Sequence, residues 1–151
     1  MDFASFMREL AETRALPMRH EGAVRVCELS VQQGPLVEVR MDSVLTDKPA
    51  QLSAELADVP HEAALRARVM GRVLEINHAR ARRRGAALRP QLAPDRGAPG
   101  AHANETILLQ KTLTPRRARP SEFLRDLVQF ARLAAEARAA IWAVLPRPAG
   151  L

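Results

Sequence analysis

Aromatic residues make up only 3% of this 151-residue chain; tyrosine is absent and Trp142 is the single tryptophan. The core must therefore be built mainly from Leu, Val, Ala and Met. Single-strand nucleic-acid binding by base stacking also has few side chains to draw on. Cysteine is nearly absent: Cys27 stands alone. No internal disulfide can form, and a reducing compartment fits. Lysine is scarce, with Lys48 and Lys111 the only two among 23 basic residues. No run of about 18 apolar residues occurs, so no membrane-spanning helix is expected. The opening "MDFASFMREL" carries an early acid and lacks a long apolar run, unlike a secretory signal. These absences point to a soluble, cytoplasmic protein.

Apolar content is 47%, enough for a packed core and too high for a disordered chain. The length suits one domain over residues 1–145, with 146–151 as a short tail. Net charge is +6, a bias toward anionic partners such as nucleic acid, acidic lipid or an acidic protein segment. Arginine carries nearly all of it. Together with abundant alanine, this reflects a GC-rich coding sequence as much as a selected surface.

Hydrophobic periodicity lays out the elements. Asp2 can cap a first helix whose Phe3, Phe6, Met7 and Leu10 form one stripe. Leu16-Pro17 ends it. Three strands follow. "AVRVCELSV" (23–31) is β-rich, but its alternation slips between Val26 and Cys27, a sign of a bulge. "LVEVRMDSV" (36–44) alternates cleanly, and "QLSAELA" places Leu52, Ala54 and Leu56 on one face. A second helix is expected from Asp58 as N-cap, with Pro60 in its first turn. It carries two stripes: Leu65, Val69, Val73 and Ile76, and a row of small residues at Ala63, Ala67 and Gly71. The row either packs on the chain's own sheet or admits another backbone. Gly85 ends the link, "AALRPQL" (86–92) reads as an edge strand because of Pro90, and "ETILLQKTL" (105–113) as a strong strand. Ser121 caps a last helix reaching about Leu145, with Phe123, Leu127, Phe130, Ala134, Ile141 and Trp142 on its apolar side. The order helix, three strands, helix, two strands, helix indicates an α+β fold with a mainly antiparallel sheet.

Catalytic patterns are missing. His20, His61, His78 and His102 include no pair at i, i+4, and no HExxH occurs. Cys27 has no base beside it and reads as a buried strand residue. No serine sits in a GxSxG context, and the glycines form no phosphate loop. The chain is therefore expected to be no enzyme and to need no metal or cofactor.

Several patterns together resemble the Tir chaperone (CesT-like) family of bacterial type III secretion chaperones. "FASFMRELAETRALP" is similar to the family's opening amphipathic helix. "LADVPHEAALRARVMGRVLEIN" is similar to its strand-link-helix passage, with Leu74 to Asn77 matching a Leu-x-x-Asn-like turn. "FARLAAEARAAIW" resembles the end of its last helix. The likeness runs from Phe3 to Trp142. It departs in charge, since these chaperones are usually acidic, and in the long Pro/Gly-rich stretch at 93–103.

The resemblance implies a cytoplasmic homodimer that holds the N-terminal segment of a secreted effector extended. It implies a dimer through the second helix, using Ala63, Ala67, Gly71, Leu74 and Asn77, helped by Leu88. It implies client contacts at Phe3, Phe6, Leu10, Val24, Val26, Ile107 and Leu109, for each of which ordinary core is the competing use. The basic run Arg80, Arg82, Arg83 and Arg84 would face water, an acidic client segment or the secretion ATPase. The competing reading is a small basic nucleic-acid-binding or regulatory module. It lacks a helix-turn-helix signal.

Overall fold

A computed structural model describes residues 5, 8, 12, 18–21, 24–30, 36–42, 50–81, 85–92, 105–113 and 120–146. In chain order these form β1 (Met18–Glu21), β2 (Val24–Ser30), β3 (Leu36–Asp42), β4 (Ala50–Asp58), α1 (Ala63–Ile76), β5 (Ala86–Leu92), β6 (Glu105–Leu113) and α2 (Pro120–Trp142). A π-helical turn, Asn77–Ala81, follows α1 directly. The fold is α+β, and the six strands form one antiparallel sheet in the order β1-β2-β3-β4-β6-β5. Ser5, Arg8 and Glu12 are helical and exposed. Phe3, Phe6, Met7 and Leu10 lie outside the described residues.

The expected three strands before the middle helix are four. Met18–Glu21 forms an extra strand on β2, with Met18 opposite Cys27 and Glu21 opposite Val24. "MRHE" has neither β-branched residues nor alternating hydrophobicity, so no local signal marks it. The expected bulge is also absent. The β2–β3 register runs unbroken from Val24↔Asp42 to Ser30↔Leu36. Val26 instead lies on the polar face, directly opposite Arg19 on one side and Arg40 on the other. It is nonetheless only 1% exposed. Long arginine stems beside it can cover apolar surface while keeping their charged heads in water.

The chain divides into two compact units, Met1–Ala54 with Gln110–Ala135, and Glu55–Leu109 with Glu136–Leu151. The first has its core in Cys27, Leu29, Val37, Val39, Met41 and Leu52, and in Phe123, Leu127, Phe130 and Ala134 of α2. Its polar face is organised by Arg19. Glu28 and Glu38 stand directly opposite each other on β2 and β3, a repulsive placement by itself. Arg19 bridges them, with Nη1 3.2 Å from Glu28 Oε1 and Nη2 2.9 Å from Glu38 Oε2. Arg40 Nη2 lies 3.4 Å from the other Glu38 oxygen.

In the second unit the core comprises Leu56, Val59, Val69, Val73, Ile76, Leu88, Ile107, Leu109 and Ile141. Helix α1 begins at Ala63, with Glu62 at the N-cap position and no side-chain capping bond. Asp58 is therefore not the cap expected from sequence. It ends β4, and its carboxylate accepts a 3.4 Å bond from the Thr106 hydroxyl. The sheet holds the chain one step further, because Val59 N–H donates to the Glu105 carbonyl at 2.8 Å. Ser121 likewise lies inside α2, which starts at Pro120. A proline in the first helical turn gives up a donor that would have no intrahelical partner.

Polar bonds anchor α1 at both ends. Near its start, Arg66 Nη2 lies 3.0 and 3.1 Å from the two carboxylate oxygens of Glu105 on β6. Just past its end, the Asn77 amide donates to the Leu88 carbonyl at 2.9 Å and accepts from the Leu88 N–H at 2.7 Å. One carboxamide thus does for Leu88 what a neighbouring strand residue would do. Strand β5 ends the sheet, where such groups otherwise lack partners. Gly85, with φ 68°, supplies the left-handed turn that leads into it.

Two predictions follow from these contacts. Arg19→Ala should destabilise the fold by about 1 kcal/mol in urea unfolding, less in high salt, because exposed ion pairs are weak and screened. A loss unchanged by salt would contradict the electrostatic account. Asn77→Ala should cost about 2 kcal/mol, since both main-chain groups of Leu88 lose their partner. Asn77→Asp, which keeps only the acceptor, should fall between; equal losses would show that the paired bonds do not set the cost.

Candidate interaction surface

Helix α1 spends its two stripes differently. Val69, Val73 and Ile76 are buried and Leu65 is half-buried. Ala63, Ala64, Ala67, Gly71 and Leu74 are exposed. At about 100° per residue these exposed positions fall on one side of the helix. Leu74 is 69% exposed, and a methyl group placed on Gly71 would meet nothing within 4 Å. The row of small residues therefore does not pack on the chain's own sheet. Glycine inside a helix costs about 1 kcal/mol relative to alanine. Nothing in the described chain requires that cost.

The other candidates divide. Leu88 is only 4% exposed, and Asn77 is occupied with its main chain, so both serve the interior of their own chain. Val26, Ile107 and Leu109 are at most 1% exposed and belong to the core. Ile107 and Leu109 are alternate residues of β6, and both sit on its buried side. Val24 is half-buried. Phe3, Phe6, Leu10, Arg82, Arg83 and Arg84 lie outside the described residues, as does the Arg80 side chain.

Two further large apolar residues are exposed against expectation. Leu36 and Trp142 are each 58% exposed. Trp142 was assigned to the apolar side of the last helix, but Ile141 holds that place and is fully buried. The indole Nε1–H of Trp142 donates to the Leu56 carbonyl at 3.2 Å, and Arg138 Nη2 to the Glu55 carbonyl at 2.8 Å. These bonds fix the last turns of α2 on β4. Nearby, Asp58, Val59, Pro60, His61, Leu65, Leu145 and Pro146 line an open groove of about 480 Å³.

Cys27 is buried, and desolvation pushes its thiol up from 9.0 to about 12, against a smaller opposing effect of its own backbone hydrogen bond. Such a thiol is a poor nucleophile. Among the described residues no group of three or more His, Cys, Asp or Glu side chains could hold a metal ion. No described helix is long and apolar enough to cross a membrane.

No family model and no curated protein matches the chain. Among solved structures, it is similar to YbjN from E. coli, described as a proposed transcription regulator. The TM-score is 0.64 at 13% sequence identity, with 95% of this chain and 96% of that one covered. At this identity the likeness concerns the fold alone.

Burial of Cys27 predicts an alkaline effect. Below pH 9.0 the thiol is protonated in both the folded and unfolded chains, and its contribution to stability is intact. As pH rises toward about 12 the unfolded chain ionises first, so that contribution is progressively lost. Cys27→Val should remove this part of the decline in unfolding measurements. Parallel curves for the two proteins above pH 9.0 would contradict the raised thiol.

Proposed function

We propose that the protein is a type III secretion chaperone that binds the N-terminal segment of one or more effectors and keeps it extended for export. The observation that carries this reading is the outward face of α1. It is uncharged from Ala63 through Ala67, Gly71 and Leu74, and it is unused by the described residues of its own chain. A second α1 related by a two-fold axis would lie close along it, its backbone admitted by the small side chains. Such an interface is self-complementary, as a two-fold dimer requires. The α+β sheet and the sequence resemblance over Phe3 to Trp142 support the same reading.

The physics asked of such a protein is capture of a disordered chain. Ordering each client residue costs about 1–2 kcal/mol of backbone entropy. The contact must therefore be long, and a dimer doubles the available surface. Main-chain bonds to a terminal strand give affinity that tolerates sequence variation. Of the two terminal strands, β5 already has Leu88 satisfied by Asn77. The client strand is therefore assigned to β1, whose outer side has no strand neighbour among the described residues. This capture uses no bond-making chemistry.

Gly71→Glu combined with Ala67→Glu tests the dimer. Both positions face outward, so the fold should persist by circular dichroism while sedimentation shows a monomer in place of a dimer. A wild-type monomer, or a dimer unaffected by the two charges, would end the reading of α1. Co-expression with secreted proteins encoded beside it tests the function. The expected product is a soluble complex of two chaperones with one client, its N-terminal segment protected from protease. Failure of every such client to bind would count against the proposal.

A second reading, a small basic nucleic-acid-binding or regulatory module, is favoured by the net charge of +6 and by the proposed role of YbjN in transcription. Affinity for nucleic acid that falls steeply with salt would support it over the first.

A further inference from the structure

We draw no further inference here: the strongest candidate, the apolar groove between the start of α1 and the end of α2 lined by Val59, Pro60, Leu65, Leu145 and Pro146, carries none, because nothing in the structure shows what covers it.

Discussion

Asn77 satisfies both main-chain groups of Leu88 with a single carboxamide, and much of the second unit depends on that arrangement. It fixes the end of α1 to β5 at a point where the helix passes into a π-turn. The Arg66–Glu105 pair fixes the other end to β6. A helix held only by apolar contacts can roll or slide at modest cost, since such contacts have no direction. Held by directional bonds near both ends, α1 has one rotation about its axis. That rotation turns Val69, Val73 and Ile76 inward and leaves Ala67, Gly71 and Leu74 outside.

This division also shows where sequence reasoning succeeds and where it stops. The strands at 86–92 and 105–113 were legible to the residue, because turn signals and apolar alternation bound them. The burial of Leu52, Ala54 and Leu56 followed from period two alone. β1 was not legible, since its four residues acquire strand geometry from pairing with β2 and from no preference of their own. The slip between Val26 and Cys27 suggests a bulge from sequence because a valine on a polar face looks like broken alternation. The register shows regular alternation, with the valine set between two arginines. Val26, Ile107 and Leu109 were proposed as client contacts and are core. Sequence pattern identifies the apolar side of a strand but not whether another layer covers it. The two stripes of α1 were both visible, yet only the structure shows which one the chain uses.

The surplus of arginine acquires a different meaning once partners are assigned. Arg19 spans two carboxylates on neighbouring strands, Arg66 holds Glu105, Arg72 pairs with Glu75, and Arg138 donates to a main-chain carbonyl of β4. Arg40 completes the ladder on the polar face of the sheet. Arg19, Arg66 and Arg138 hold different elements together, whereas Arg72 and Arg40 pair within their own helix and strand. A guanidinium suits such work, because its planar set of donors can meet two acceptors at once and stays charged when partly desolvated. Each Arg–Glu pair is neutral, so these pairs leave the net charge of +6 unchanged.

The outward face of α1 presents the opposite situation, a surface without an assigned use. Isolated exposed apolar residues are ordinary on any protein. Here Leu74 belongs to a row of alanine and glycine over several turns, without a charged residue on the same narrow strip. A solvated helix is better served by Lys, Glu or Arg at such positions, which favour helix, improve solubility and form i, i+4 pairs. The flanking Arg68 and Glu75 show that the sequence places charges at exposed positions on this helix. Their exclusion from the strip, and a glycine that no described neighbour in its own chain requires, are what the proposed dimer would explain through a second backbone passing close by. In the proposed dimer a two-fold axis would supply that backbone with no further partner, and because each copy would bring the same strip, one set of small residues would satisfy both sides of the contact.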